Sequence, residues 1–422
     1  MAEATLLTDD LVRRLISVGQ VDVLVGLATL NNVETIARTL HAVHEGLSRQ
    51  FPRARTVVIV ADGGSNDGTL DIVGAAPSEG RDRYGSLRTR HQIAAPYRGV
   101  PGKAGAIRLI FTAADLLGAR TVAIVDPEAA ALAPTSIGAL LQPVASESFD
   151  LAAPVRARHP LERLLVTQLI RPLVRATYGR HLDDPLLAEF ACSGRFAAYC
   201  LTEDVWDRSP TREGIEMWLA ATALSGRFRA CQTFVAADAP VPSVRARPGL
   251  QEVFAPLVGS LFAALDAHAD AWMRDTRPER ATVIGSEPPP PTDDPPNAPP
   301  GLGGSFAQDV RDLRPVLESI LAPETLTALN AIAEAAGGET PRYPDDGWVT
   351  TVYDFAAAHH AGVIDRTHIV RALMPLYMGR AAWFVTQHGA SKADEVAQDL
   401  DTLAQQFERS KPYLIERWNR AP

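Results

Sequence analysis

Two runs of apolar residues, each ending in an acid, most constrain the fold of this chain. Residues 57–69 read VVIVADGGSNDGT, and residues 121–128 read TVAIVDPE. Apolar runs without alternation are typical of strands that are buried on both faces of a parallel sheet. Because such sheets bind ligands at the carboxyl ends of their strands, the acids after these two runs predict a nucleotide site at that edge.

The segments around these two runs alternate between strand and helix patterns. Residues 21–30 predict a first buried strand, residues 31–46 a helix, and residues 106–117 a further helix. This order predicts a doubly wound α/β domain. No GxGxxG motif follows the first strand, which argues against an unrelated dinucleotide-binding domain. Farther along the chain, Phe196 to Leu201 predicts a short strand.

The length of 422 residues predicts two domains. We expect residues 1–250 to form a nucleotide-binding and catalytic domain. A helix and a proline-rich linker are expected over 251–302, where the sequence includes SEPPPPTDDPPNAPPGLGG. Residues 303–422 have a helical pattern nearly throughout, and these helices offer a surface for a homo-oligomer.

Composition excludes several classes of function. The net charge of −9 and the isoelectric point of about 5.6 argue against nucleic-acid binding. The three cysteines have no metal-ligand spacing, so neither a disulfide framework nor a zinc site is indicated. The amino terminus lacks the apolar core of a signal peptide, and no apolar run approaches the roughly 20 residues of a membrane span. We therefore expect a cytoplasmic protein without a membrane span.

Several motifs resemble those of one enzyme family. Residues 62–69 resemble the D-D-G-S-x-D-G-T signature of GT-A glycosyltransferases, and residues 126–128 stand where that family has its D-x-D metal motif. The loop PGKAG is similar to the G-P-G-K-G loop of the GT-A enzymes that form glucosyl-3-phosphoglycerate and mannosylglycerate. The resemblance implies a GT-A fold, Rossmann-like with a doubly wound mixed sheet, followed by a helical domain. It also implies the transfer of glucose or mannose from a nucleoside diphosphate sugar to a small anionic acceptor, with retention of configuration.

Asp62 is the first candidate for binding the nucleotide. A carboxylate accepts hydrogen bonds from ring N–H groups and sugar hydroxyls. The alternative is that Asp62 and Asp67 stabilise an Asx turn or cap a helix, which this spacing also favours. The resemblance adds further residues at the nucleotide or the donor sugar, with an amide in place of an acid at position 32: Leu27, Thr29, Asn32, Ser65, Ser193 and Gly194.

Lys103 is the candidate for binding the diphosphate. It lies between two glycines before a predicted helix, where an ammonium and the helix amino terminus can meet phosphate charge together. The alternative is a solvated lysine in a turn.

Asp126 and Glu128 are the candidates for a metal site. Carboxylates at a strand end suit Mg²⁺ or Mn²⁺, and such an ion can act as a Lewis acid on a departing diphosphate. The alternative is a strand that ends in an acidic turn. The resemblance implies a further histidine ligand near Pro240, and Asp238 is the nearest replacement because no histidine occurs between His181 and His268.

Arg171 and Glu216 are the candidates for the acceptor. On the resemblance, Arg171 binds the acceptor's carboxylate or phosphate, which its planar guanidinium can pair bidentately. Glu216 would orient the attacking oxygen, and the resemblance implies that Arg195 replaces an acid of the family. The alternatives are a surface arginine and a first-turn acid favoured by the helix dipole. Two other functions stay open: a nucleotide-sugar-binding relative with impaired catalysis, and a nucleotidyltransferase.

Overall fold

The computed structural model describes residues 7–75, 91–97, 102–127, 133–156, 159–235, 249–274, 279–286 and 306–420. The chain divides into two compact units. The first unit comprises Met1–Arg156, Leu186–Arg247 and Ala281–Pro288. The second unit comprises Ala157–Pro185, Pro248–Arg280 and Pro289–Pro422.

The regular elements of the described residues follow in chain order. The first part of the chain contains α1 Asp9–Val18, β1 Val23–Thr29, α2 Ile36–Gln50, β2 Thr56–Asp62, α3 Thr69–Ala75, β3 His91–Pro96, α4 Lys103–Leu116, β4 Thr121–Val125, α5 Pro134–Ser146 and β5 Leu151–Val155. Next come a 3₁₀ turn Pro160–Arg163, a π-helical turn Val166–Ile170, α6 Arg171–Tyr178, β6 Arg180–His181, β7 Phe190–Ser193, α7 Gly194–Leu201, α8 Ile215–Leu224 and β8 Ala230–Phe234. The remainder contains α9 Leu250–Ala267, α10 Ala269–Trp272, β9 Glu279–Arg280, β10 Thr282–Ile284, α11 Phe306–Asp312, α12 Arg314–Ile320, α13 Pro323–Ala336, α14 Asp345–Ala361, α15 Arg366–His388 and α16 Ala393–Asn419.

The first unit is built on an eight-stranded mixed sheet. The strand order is β10-β8-β5-β7-β4-β1-β2-β3. Strand β7 is antiparallel to its neighbours β4 and β5, and the other pairs are parallel. The doubly wound α/β architecture predicted from the sequence is confirmed, and so is the helical C-terminal region.

The central strands are buried because helices cover both faces of the sheet. Every residue of β2 and β4 is buried, which explains their uninterrupted apolar sequences. Each fully buried valine, leucine or isoleucine contributes about 1.5–3 kcal/mol to folding. Helix α4 packs closely on β1 at Gly26, where a Cβ atom would lie only 2.5 Å from Ile110. A larger residue there would displace the helix that begins at Lys103.

The second unit is helical and differs from the predicted domain limits. Segments 157–185 and 248–280 belong to it, whereas 281–288 adds β10 to the sheet of the first unit. Segment 160–178 joins the later helices because nearly all its apolar side chains are buried. Within this unit, Tyr178 Oη donates to the carbonyl of Ala264 (3.4 Å).

Helix α9 has the length and apolar composition of a membrane span. Its mean hydropathy is 1.3, and it is the one helix of the described residues with this combination. Phe254, Val258, Leu261 and Leu265 on this helix are buried within the second unit. A buried core helix satisfies the same criteria, so length and composition here are weak evidence for a membrane span.

The predicted strand at Phe196 to Leu201 is wrong, because these residues belong to helix α7. Ser193 ends β7 and caps this helix, since its side chain accepts a hydrogen bond from the Phe196 N–H. Phe196 and Cys200 are four residues apart and both buried, which is the spacing of one helix face.

Candidate functional site

Four predicted site residues of the first unit lie at the carboxyl edge of the parallel strands. Asp62 is the last residue of β2, and Asp126 follows β4 directly. Lys103 is the first residue of α4, and Glu216 is the second residue of α8. A helix that connects two parallel strands starts near the carboxyl end of the first strand. The carboxyl edge therefore brings together residues that are distant in the chain.

The carboxylate of Asp62 organises the glycine-rich loop that follows it. Asp62 is fully buried. Its Oδ2 accepts hydrogen bonds from the backbone N–H groups of Gly64 and Ser65, both at 2.9 Å. Its Oδ1 accepts from Ser65 Oγ (2.5 Å) and from Thr29 Oγ1 (3.3 Å). These bonds are the Asx-turn arrangement that the sequence left open as an alternative.

The same loop is bonded to the loop after β1. Asn32 is buried, and its Oδ1 accepts from the Leu30 N–H at 2.8 Å. Leu27, expected at the nucleotide, has its side chain in the core. Three side chains of the glycine-rich loop accept backbone N–H groups of the first loop: Ser65 from Asn31 (2.7 Å), Thr69 from Asn32 (2.8 Å) and Asp67 from Val33 (3.0 Å). The polar residues of the signature therefore hold two strand-end loops together.

The ammonium of Lys103 lies between acidic groups. Its Nζ is 2.9 Å from Glu216 Oε1 and 3.8 Å from Asp126 Oδ2. It also donates to the carbonyl oxygen of Ala188 at 3.0 Å. Lys103, at the start of α4, therefore contacts the start of α8, the residue after β4 and Ala188, which lies two residues before β7. The alternative of a freely solvated turn lysine does not match this geometry.

Electrostatics keep Lys103 charged. Burial by itself would lower the pKa of the ammonium, but the carboxylates of Glu216 and Asp126 more than offset this effect. The pKa of Lys103 is therefore raised above its ordinary value. A positive charge is present at this point throughout the physiological pH range.

Tyr97 fixes the backbone from which Lys103 starts. Its hydroxyl donates to the carbonyl of Gly102 (2.9 Å) and accepts from the Gly102 N–H (3.0 Å). Gly102 has a φ of 150°, a conformation that side-chain-bearing residues rarely adopt. Tyr97 was not predicted from the sequence as a site residue, although its position directly after β3 places it at the same edge.

Glu189 is a further acid at this edge that was not among the residues predicted from the sequence. It is 1% exposed, it pairs with Arg156, and its charge acts on Lys103. Its Oε1 is buried without a hydrogen-bond partner among the described residues. Glu189 lies at the carboxyl edge because β7 is antiparallel, so the start of β7 adjoins the end of β4 at Ile124.

Ser193 and Gly194 lie at the opposite edge of the sheet, which corrects their expected place beside the donor sugar. Ser193 pairs with Thr121, the first residue of β4, whereas Asp126 follows its last residue. Arg195, thought to replace an acid of the family, is also at this far edge and binds Asp150 at 2.5 Å. Glu189, whose charge acts on Lys103, lies at the carboxyl edge instead.

Of the three predicted metal ligands, Asp126 is within the described residues, and Glu128 and Asp238 lie outside them. In the described part of the chain, no group of three histidine, cysteine or acidic side chains is arranged to hold a metal ion. Asp126 and Glu216 do hold a cation, the ammonium of Lys103. Carboxylate oxygens that hold an ammonium also suit Mg²⁺ or Mn²⁺. Asp126 therefore fits the role of one metal ligand.

Arg171 belongs to the second unit and opens helix α6 directly after the π-helical turn. It is half-buried, and burial lowers the pKa of its guanidinium, an effect that the attraction of Asp183 only partly offsets. Its neighbour Arg163 pairs with Asp184, and Arg175 pairs with Glu408 at 2.8 Å. Arg171 has no such hydrogen bond or ion pair with the residues described.

No protein-family model and no curated protein matches this chain. Among solved structures, it is similar to glucosyl-3-phosphoglycerate synthase from Mycobacterium tuberculosis. A complex of that protein with Mn²⁺, UDP and phosphoglyceric acid is 20% identical, with a TM-score of 0.42 over 64% of this chain and 85% of that chain. A complex with Mg²⁺ and UDP is 21% identical, with a TM-score of 0.42 over 60% of this chain and 83% of that chain. With identities of 20% and 21% and TM-scores of 0.42, this likeness carries no argument about the reaction of this chain.

Proposed function

We propose that this protein is a glycosyltransferase that moves a hexose from a nucleoside diphosphate sugar to a small anionic acceptor such as glycerate or 3-phosphoglycerate. The observation that carries the proposal is the position of Lys103 between Asp126 and Glu216 at the carboxyl edge of the sheet. A reaction that releases a diphosphate needs positive charge at that group and a carboxylate near the attacking oxygen. These residues supply both kinds of group at one point.

The donor diphosphate binds at Lys103. The first backbone N–H groups of α4 and the Lys103 ammonium both favour negative charge at this helix terminus. The nucleoside lies along the two braced loops after β1 and β2, where Asp62 and Ser65 fix the backbone that it contacts.

Asp126 is the residue that would hold Mg²⁺ or Mn²⁺. Such an ion supplies Lewis-acid stabilisation of the departing diphosphate when it is bound. Mg²⁺ is commonly held by one or two carboxylates together with substrate phosphates, so a single protein carboxylate is a sufficient anchor when the diphosphate is present.

Glu216 orients the attacking hydroxyl of the acceptor. The Glu216 side chain is 17% exposed, so a ligand can reach its carboxylate although it is bonded to Lys103. The family resemblance implies that the configuration at the sugar is retained. We assign no residue as a nucleophile, which fits attack from the same face with assistance from the departing diphosphate. The family resemblance assigns the carboxylate or phosphate of the acceptor to Arg171, which belongs to the second unit.

A nucleotide-sugar-binding protein with impaired catalysis is the second candidate. The observation that favours it is that Lys103 already has two acceptors within 3.0 Å, Glu216 and the Ala188 carbonyl. A diphosphate would have to share the three N–H donors of the ammonium with these two acceptors. Binding and turnover are separable by experiment, so the two candidates give different results.

The experiment measures binding first and turnover second. Thermal unfolding with UDP-, GDP- and ADP-sugars, each with and without Mn²⁺, identifies the donor, since a specific ligand raises the unfolding temperature as its concentration exceeds Kd. The identified donor is then incubated with glycerate, 3-phosphoglycerate or glycerol. Glycosylation of an acid but not of glycerol supports the proposal. Stabilisation without any product supports the second candidate, and stabilisation by none of the sugars contradicts both.

A further inference from the structure

The positive charge beside Asp126 in this structure belongs to a side chain of the protein, Lys103. The Lys103 ammonium is 3.8 Å from Asp126 and 2.9 Å from Glu216. The exposed fractions of these side chains are 24% for Lys103, 34% for Asp126 and 17% for Glu216. All three are open enough to exchange partners with a ligand from solvent.

An ammonium at this distance competes with a metal ion for the same carboxylate. A divalent cation on Asp126 would meet the charge of Lys103 a few ångströms away, and at this separation like charges repel strongly in a partly buried site. The backbone carbonyl of Ala188 and the carboxylate of Glu216 both hold the ammonium in place. Movement of Lys103 therefore requires another partner for its charge.

A diphosphate is such a partner. It offers oxygen atoms to both cations, so it removes the repulsion that each cation exerts on the other. We propose that Lys103 excludes divalent cations from Asp126 in the free protein, and that the cation is admitted only together with a nucleoside diphosphate, to which the ammonium moves. This inference rests on the proposed function for its nucleotide, but the exclusion of the metal is a property of the free protein.

Mn²⁺ binding to the purified protein, followed by the loss of the free-ion signal in electron paramagnetic resonance, tests the exclusion without any turnover. Asp126→Asn defines the background from other acidic groups. We expect wild-type protein to bind no more Mn²⁺ than this background. Lys103→Met should bind it at least about tenfold more tightly, because the competing charge is gone. The gain should disappear in the Lys103→Met and Asp126→Asn double variant.

Two controls separate charge from damage to the fold. Lys103→Arg retains the positive charge and should bind Mn²⁺ as weakly as the wild type. Lys392→Met removes an exposed lysine of the second unit and should have no effect. Wild-type protein that binds Mn²⁺ through Asp126 without nucleotide overturns the inference, and so does a folded Lys103→Met variant with no gain.

Addition of UDP, GDP and ADP in turn completes the test. With one of them, wild-type protein should bind Mn²⁺ above the Asp126→Asn background, and a failure of all three to admit the ion overturns the second half of the inference. The proposed function fails separately, if no nucleotide sugar binds or none is turned over. Tight Mn²⁺ binding by the free wild-type protein would refute the exclusion and leave the transferase proposal intact.

Discussion

Lys103 and Glu216 form an ion pair of 2.9 Å between the first turns of two helices, α4 and α8, that are far apart in the chain. Each residue was a candidate for a different substrate, the donor diphosphate for Lys103 and the acceptor for Glu216. Their contact couples the two halves of the proposed reaction. On the proposed function, a diphosphate that draws the ammonium away would also free the Glu216 carboxylate for the incoming hydroxyl.

Replacement of Asp126 by alanine should lower turnover at least about a hundredfold, the scale of losing a main electrostatic stabiliser. EDTA should likewise abolish transfer. Release of nucleoside diphosphate, measured with the donor identified above, reports the rate. Asp115→Ala removes an exposed acid of α4 and serves as the control. Full activity of the wild-type protein in EDTA would contradict the metal assignment, and so would full activity of the Asp126 variant.

Replacement of Lys103 by alanine should weaken donor binding by about 1.5–3 kcal/mol, the range for a hydrogen bond to a charged group. The reason is that the diphosphate loses its ammonium partner. Calorimetry with a nucleotide sugar measures the change, and Lys392→Ala is the matched control. An unchanged donor affinity would show that Lys103 binds only Glu216, Asp126 and the Ala188 carbonyl.

Replacement of Arg171 by alanine should raise the acceptor KM far more than the donor KM. The acceptor's carboxylate or phosphate loses a charge-assisted pair, whereas the donor loses no contact. Initial rates with each substrate varied in turn separate the two constants. Arg409→Ala, an exposed position on α16, should change neither. Equal effects on both constants would refute the anionic acceptor at Arg171.

Replacement of Asp62 by alanine should destabilise the first unit by about 3 kcal/mol, because it removes the buried acceptor of two backbone N–H groups and two hydroxyls. Urea unfolding gives the value. Asp71→Ala, an exposed position on α3, is the control. A variant that keeps its stability but loses nucleotide binding would instead support direct contact between Asp62 and the nucleotide.

Local patterns in the chain were enough to predict the central strands and the edge of the sheet at which the site lies. The apolar runs of β2 and β4 are local signals of strands buried on both faces, and an acid directly after such a strand lies at the carboxyl edge in any parallel sheet. The positions of Asp62 and Asp126 follow from this rule. Lys103 and Glu216 could be placed at the same edge because each begins a helix between strands.

Which residues lie next to these side chains depends on how the whole chain folds. The four residues of β7 do not determine the direction of this strand, because strand pairing depends on partners that are distant in the chain. Its antiparallel direction puts Glu189 beside Lys103 and moves Ser193, Gly194 and Arg195 to the far edge. A local pattern can identify a strand, but it does not specify the strand's direction in the sheet.

The partners of charged side chains also depend on how the whole chain folds. The sequence left open whether the carboxylate of Asp62 faces a ligand or its own loop, and burial with four donors favours the loop. The assignment of 157–185 to the second unit was likewise beyond local pattern, because an apolar helix can pack on either unit. Which surface an apolar or charged side chain meets depends on contacts that form only when the whole chain has folded.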